Sequence, residues 1–233
     1  TDTISDLLFC TERSGVDNLR EEGIDEEKIH LVGHVMIDTL MHNLEKASTS
    51  SIVEELTAKG TIDGHKYALM TLHRPSNVDD PAVFRRILSG LEPIQRELPI
   101  LFPIHPRTRK NIDSTGLSDA VQHLSQLHLM EPVGYLDFLK LMSGAALVLT
   151  DSGGIQEETT ALKIPCLTLR ENTERPITVE IGSNQLVGSD PDKIIQGYFN
   201  IKNLNRNGFD IPPLWDGHAA ERITDILIRE IKT

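Results

Sequence analysis

Leu149-Thr150-Asp151-Ser152-Gly153-Gly154-Ile155-Gln156-Glu157-Glu158 joins an apolar run, Ala146 to Thr150, to an amphipathic one, Ile155 to Leu162. The pattern reads as strand, glycine turn, helix. In an open α/β sheet, ligands bind outside the carboxyl ends of the strands. A glycine turn there lets the backbone approach an anion closely, and the free N–H groups and dipole of the following helix favour negative charge. Ser152 adds a hydroxyl donor. Glu158, nearly a turn into the helix, can accept hydrogen bonds from the two hydroxyls of a ribose. On these residues alone a second reading stays open, in which Asp151 and Ser152 merely cap a helix after a tight turn.

Outward from this run, short apolar stretches alternate with longer amphipathic ones. Strands are expected at Asp6 to Cys10, Ile29 to Val32, Tyr67 to Leu72, Ile100 to Ile104, Leu127 to Met130, Ala146 to Thr150, Cys166 to Leu169 and Gln185 to Val187. Most are continuously apolar, as strands buried on both faces of a parallel sheet are. Helices are expected at Ser14 to Glu22, Ile37 to Ala58, Pro81 to Glu97, Leu117 to Ser125, Tyr135 to Ser143, Ile155 to Leu162, Pro191 to Tyr198 and His218 to Ile231. The alternation predicts an α/β fold with a Rossmann-like, doubly wound parallel sheet. Lys46 to Gly64 is a polar stretch, and Asn200 to Pro213 is rich in Asn, Gly and Pro. A first strand–helix–strand unit closing at Val32-Gly33 cannot bury both faces by itself, so it asks for a further sheet.

Three more polar clusters fall at predicted strand ends. Thr71-Leu72-His73-Arg74-Pro75-Ser76-Asn77 pairs a histidine with an arginine, suited to holding a phosphate or passing a proton near neutral pH. Phe102-Pro103-Ile104-His105-Pro106-Arg107 repeats that pairing between prolines that stiffen the loop. Arg170-Glu171-Asn172-Thr173-Glu174-Arg175-Pro176 follows the strand Cys166 to Leu169. Each cluster taken alone also fits ordinary surface. Their shared position on one rim of one sheet favours a phosphate-bearing ligand. Tyr135 or Phe138 could present an aromatic face to a nucleobase; alternatively Phe138, Leu139 and Met142 form the helix's apolar stripe, the reading preferred for Tyr135 and Leu139.

Composition narrows the classes. The 233 residues are 39% hydrophobic and 25% charged, with a formal net charge of −12. Such a surface repels nucleic acid and anionic membranes, so a phosphate must be captured locally. No run approaches the roughly 18 apolar residues of a membrane span. The Thr-Asp-Thr-Ile-Ser-Asp start lacks the basic region and cleavage site of a signal peptide, and a cytoplasmic location is expected. Cys10 and Cys166, each within an apolar run, read as core residues of a reducing compartment. The nine histidines lack metal-ligand spacing, so no metal is expected; no cofactor is expected either.

The motif from Thr150 to Glu158, followed by Lys163-Ile164-Pro165, Arg170 and Thr173-Glu174-Arg175-Pro176, resembles the signature of bacterial and archaeal non-hydrolysing UDP-N-acetylglucosamine 2-epimerases. Thr71-Leu72-His73-Arg74, Pro103-Ile104-His105-Pro106 and Tyr135-Leu136-Asp137-Phe138 fall in that family's order and spacing, as do Thr11-Glu12 and Val35-Met36-Ile37-Asp38. The resemblance extends over essentially the whole chain. It implies the two-domain architecture called GT-B, with this chain as its C-terminal portion. Residues 1–35 would be the last strand–helix–strand unit of an otherwise absent N-terminal domain, 36–213 the UDP-binding domain, and 214–233 a helix crossing back. It further implies that Ser152, Gly153, Gly154 and Glu158 hold the diphosphate and ribose, that Phe138 packs near the uracil, and that Arg175 contacts the nucleotide. His73 matches a histidine needed for catalysis. Arg74 and His105 match an allosteric site for UDP-N-acetylglucosamine.

The reaction so implied inverts the second sugar carbon, giving UDP-N-acetylmannosamine by elimination of UDP to a 2-acetamidoglucal and re-addition. The full-length family member is expected to be a homodimer serving polysaccharide biosynthesis. Pro75 and Ser76 stand where many members have Arg and Glu, and Gly33-His34-Val35 where many have Gly-Asn-Thr. The family's N-terminal half, which carries the acidic residues of proton transfer, has no counterpart, so this polypeptide alone is expected not to epimerise and to expose apolar surface at both end segments. The alternatives are a GT-B glycosyltransferase, a hydrolysing epimerase and a non-catalytic UDP-sugar binding module.

Overall fold

The computed structural model describes residues 2–63 and 66–231. Thr1, Gly64, His65, Lys232 and Thr233, at the two ends and at the close of the polar stretch, lie outside the described residues. In chain order the elements are β1 (Leu8–Cys10), α1 (Arg13–Glu21), β2 (Ile29–Leu31), α2 (Val35–Ser48), α3 (Ile52–Ala58), β3 (Ala68–Thr71), α4 (Pro75–Val78), α5 (Pro81–Gln95), β4 (Ile100–Pro103) and α6 (Pro106–Ser114). They continue with α7 (Ser118–Gln122), β5 (Leu127–Met130), α8 (Tyr135–Gly144), β6 (Leu147–Thr150), α9 (Gly153–Ala161), β7 (Cys166–Thr168), α10 (Ile177–Glu180), β8 (Asn184–Leu186), α11 (Pro191–Ile201) and α12 (Ala219–Ile231).

The chain divides into two compact units, residues 46–210 and residues 1–45 with 211–233. In the larger, six strands form one sheet in the order β5-β4-β3-β6-β7-β8, every pair parallel. The chain builds outward from β3 to β5, then returns to lay β6 on the other side of β3. That reversal is the topological switch point of a Rossmann-like, doubly wound sheet, and ligands bind there. Ala68, Met70, Leu147 and Leu149 look into the core shared with α5 and α11. Their neighbours Leu69, Leu101 and Val148 are equally buried, so the sheet is covered on both faces and its strands need no polar alternation. At Gly90 on α5 a Cβ would stand 3.0 Å from the Ile194 side chain on α11, and the missing side chain lets these helices approach closely.

The smaller unit has its own parallel pair, β1 with β2, against which α1 packs Val16 and Leu19 beside Cys10 and Ile29. Gly33 turns the chain at φ +89°, where any Cβ would collide with the Leu214 carbonyl. Asp38 of α2 accepts from the N–H groups of Ala219 (3.1 Å) and Ala220 (2.7 Å), capping α12. Residues 36–45 and 211–213, which sequence reading placed with the UDP-binding domain, fall in this smaller unit. Val35, Met36, Leu227 and Ile228 stand exposed on this unit.

Two local expectations are corrected. The single helix predicted over Ile37 to Ala58 is broken into α2 and α3 at Thr49-Ser50-Ser51. There the Thr49 hydroxyl donates to the Lys46 carbonyl, and Ser50 donates to Asp137 at 2.6 Å and accepts from the Ile52 N–H. Such local side-chain bonds compete with helix continuation. Conversely, Pro106 does not merely stiffen a loop; it is the first residue of α6, whose N-cap is His105. Proline suits that position because its missing N–H has no helical partner there.

Candidate functional site

The ends of β4, β3, β6 and β7, adjacent in that order in the sheet, carry His105, His73 with Arg74, Asp151 to Gly154, and Arg170. The four sequence clusters therefore share one carboxyl rim, centred on the switch point between β3 and β6.

At its middle lies Asp151, fully buried. Its carboxylate accepts from the His73 N–H (3.2 Å), the Arg74 N–H (2.9 Å) and the Asn77 amide (3.1 Å), and lies 3.0 Å from His73 Nδ1. The Arg74 Nε donates to the Asp151 carbonyl at 3.0 Å. Asn77 also donates to the Leu169 carbonyl, tying in β7. One buried acid thus stitches the β3 turn to the β6 turn. It does not cap α9. Nor does Ser152, which occupies the N-cap position without a side-chain cap bond. The capping alternative left open by the sequence is excluded on both residues. Among the described residues no side chain accepts from the first-turn N–H groups of α9, which no helix can bond internally, and a Cβ built on Gly153 would meet nothing within 4 Å.

One turn into α9, Glu158 is 5% exposed. Its Oε1 accepts from the Tyr135 hydroxyl at 3.2 Å, while its Oε2 is buried with no hydrogen-bond partner among the described residues. Burial raises the Glu158 carboxyl above the ordinary carboxylate range, the Tyr135 hydrogen bond opposes the rise, and the Glu157 charge adds to it. Burial and the neighbouring Glu158 charge in turn push the Tyr135 phenol up to about 12. Tyr135 is accordingly no part of the apolar stripe of α8, contrary to the preferred reading of the sequence: it is 43% exposed and its hydroxyl belongs to the rim. Leu139 and Met142 do form that stripe, fully buried, and Phe138 beside them is half-buried.

Helix α9 also anchors the loop from Arg170 to Pro176. Arg175 ion-pairs through Nε with Glu157, which is 2% exposed. The Thr173 hydroxyl donates to Gln156 Oε1 at 2.6 Å. The same Oε1 accepts from Asn184, whose own Oδ1 accepts from Thr168. Gln156 Nε2 is buried with no hydrogen-bond partner among the described residues. Arg170 grips Glu174 through two bonds of 2.6 and 2.7 Å, and this holds the Glu174 carboxyl down at about 2, with Arg74 Nη2 a further 3.6 Å away. His105 is exposed, and its Nδ1 accepts from the Arg107 N–H at 3.2 Å. Sequence reading missed Asp151 as a hub, the Glu157–Arg175 pair and the Gln156–Thr173–Asn184 network, each of which joins residues from different elements.

A cavity of about 290 Å³ opens on the rim beside Arg74, Asn77, Leu169 and Arg170. A cavity of about 470 Å³ lies at the opposite end of the sheet, lined by Lys66, Glu97, Tyr198, Lys202 and Arg206. Glu97 already takes hydrogen bonds from Tyr198 and Lys202 there, and Arg206 donates to backbone carbonyls. Among the described residues no group of three or more His, Cys, Asp or Glu is arranged to hold a metal ion, and no helix is long and apolar enough to cross a membrane.

The comparisons with known proteins agree in direction. The family model described as UDP-N-acetylglucosamine 2-epimerase matches residues 1–228. The UDP-N-acetylglucosamine 2-epimerase of Methanococcus maripaludis is 40% identical over 234 residues, covering 100% of this chain and 63% of that protein. That of Methanocaldococcus jannaschii is 42% identical over 229 residues, covering 97% and 62%. The crystal structure of the Methanocaldococcus jannaschii enzyme in complex with UDP-GlcNAc and UDP superposes with a TM-score of 0.85 at 41% identity, over 98% of this chain and 62% of that one. The chain thus spans somewhat over three-fifths of the length of these relatives, and its larger unit is the Rossmann-like, C-terminal half of a GT-B fold. By the extent of the family match and the identity to these relatives, the chain belongs to the UDP-N-acetylglucosamine 2-epimerase family.

Proposed function

We propose that this chain carries the UDP site of an enzyme that interconverts UDP-N-acetylglucosamine and UDP-N-acetylmannosamine by eliminating UDP and adding it back. One observation carries the reading: an uncapped helix N-terminus at the switch point of the sheet, with a buried and half-unpartnered carboxylate one turn behind it. Anions are favoured at such a terminus, and Glu158 suits the paired hydroxyls of a ribose.

In this reading the diphosphate rests on Ser152, Gly153 and Gly154, the ribose on Glu158, and the uracil near Phe138. Arg175, held by Glu157, faces the nucleotide, and Arg74 and His105 serve the adjoining phosphate or allosteric ligand. The elimination develops charge on departing UDP, which preorganised N–H groups stabilise without reorganising. His73 exchanges a proton with the sugar or the leaving group. The smaller unit is assigned to the partner domain of the GT-B pair, with α12 crossing back, and the exposed Val35, Met36, Leu227 and Ile228 suit a covered face there. A cytoplasmic homodimer supplying polysaccharide precursors completes the proposal. The free, buried Cys10 and Cys166 are compatible with a reducing compartment, and light scattering of the full-length protein tests the dimer.

Gly153→Asp tests the ligand site. The space over Gly153 is open, so the variant folds, and a carboxylate in the first turn of α9 favours the helix by about 0.3–1 kcal/mol. The same charge repels a diphosphate. Calorimetric titration is expected to show UDP binding to the wild-type chain and its loss in Gly153→Asp. Equal binding by both would refute this placement of the phosphates.

A further inference from the structure

We propose that Asp151 is a positioning residue for His73, fixing the imidazole as its Nδ1–H tautomer so that Nε2 is presented as a proton acceptor on the rim. The inference rests on the functional reading above, in which His73 handles the proton, and adds to it the group that sets which nitrogen does so.

The argument is one of donors and acceptors. Asp151 has no solvent exposure. Three of its contacts are with groups that can only donate: the main-chain N–H of His73, the main-chain N–H of Arg74 and the amide nitrogen of Asn77. A carboxylate so surrounded accepts throughout, and a fourth neighbour 3.0 Å away, His73 Nδ1, must then carry the hydrogen. The neutral ring has its lone pair on Nε2. No described residue bonds that nitrogen, and the His73 side chain is 53% exposed. The backbone bonds matter equally. The acid that orients the ring also holds the two peptide groups from which the ring hangs, so ring and main chain are fixed by one anchor. When Nε2 takes a proton, the cation forms beside a buried carboxylate already bonded to it, and the same imidazole can return the proton later in the cycle.

His105 supplies an internal control. Its Nδ1 accepts from the Arg107 N–H, so neutral His105 carries its hydrogen on Nε2. Two histidines on one rim are thus set in opposite tautomers, one offering an acceptor and the other a donor.

Long-range proton–nitrogen spectra of the uniformly ¹⁵N-labelled chain, at a pH where both rings are neutral, read the tautomers directly. The wild type is expected to show His73 as Nδ1–H and His105 as Nε2–H. In Asp151→Asn the amide offers both a donor and an acceptor, and His73 is expected to become a tautomer mixture with His105 unchanged. Asn77→Ala removes one bond to the same carboxylate without touching the ring, and is expected to leave His73 as Nδ1–H. Wild-type His73 in the Nε2–H form, or an unaltered Nδ1–H form in a folded Asp151→Asn, would overturn the proposal; the wild-type measurement stands even where the variant does not fold. In the full-length enzyme Asp151→Asn is expected to cut turnover about 10²–10⁴-fold with UDP affinity within about threefold of wild type. Unchanged turnover would overturn the positioning role. Failure of the wild-type chain to bind UDP would sink the functional reading instead, and leaves the tautomer result intact.

Discussion

Glu158→Gln preserves the size and hydrogen-bonding reach of a side chain that is 5% exposed and removes its charge. Two quantities should then move in opposite directions. In the free protein the carboxylate receives one hydrogen bond, 3.2 Å from Tyr135, and leaves Oε2 buried without a partner near the Glu157 charge. A buried charged oxygen without a partner costs more than the roughly 1–3 kcal/mol of an unpaired neutral group, so the glutamine variant is expected to be more stable by about 1 kcal/mol at pH values where the carboxyl is ionised. Binding goes the other way. Hydrogen bonds to a charged acceptor contribute about 1.5–3 kcal/mol, and losing that advantage at the ribose weakens UDP by roughly 10–100-fold. The pH dependence follows from the sign of the shift. The folded carboxyl is raised above its unfolded value, so the folded state binds more protons and wild-type stability falls as pH rises through that window. The stability gain of Glu158→Gln should therefore shrink toward zero as pH falls to the ordinary carboxylate range. Urea titrations across pH, paired with calorimetry, measure both. A variant that is less stable at every pH, or that binds UDP like the wild type, would refute the reasoning.

Two further changes probe the scaffold. Lys163 sits at φ +55° after α9, where the Ile164 and Lys163 N–H groups bond back to Thr159 and Thr160; Lys163→Gly relieves a left-handed side-chain residue and is expected to stabilise by about 1 kcal/mol in urea titration, and no gain would show the turn unstrained. Gly90→Val forces branched carbons onto Ile194, already 3.0 Å from a built Cβ, and is expected to cost about 1–3 kcal/mol; an unchanged urea midpoint would mean that α5 and α11 pack more loosely than described.

The strands were legible because they are continuously apolar: Leu147 to Thr150 is buried at every position, and such a run has few alternatives. The rim was legible for the same reason, since polar clusters that follow buried parallel strands must gather at one end. What escaped the sequence was pairing at a distance. Asp151 looked like a helix cap by local pattern, yet its partners stand on the turn after β3. Tyr135 looked like part of an apolar stripe until Glu158 was placed within reach of its hydroxyl. The break between α2 and α3 was written in Thr49-Ser50-Ser51, whose hydroxyls favour local bonds, but helical periodicity on both sides masked it. For α6 the signal was present and misassigned: Pro106 after a residue able to accept is a helix start as well as a loop stiffener.

A crystal structure of this chain soaked with UDP would test most directly whether the helix opening after β6 is the phosphate cradle. Phosphate oxygens are expected about 2.7–3.2 Å from the Gly153 and Gly154 nitrogens, with the ribose hydroxyls on Glu158. Nucleotide bound at the opposite end of the sheet, or an empty rim at saturating UDP, would contradict it.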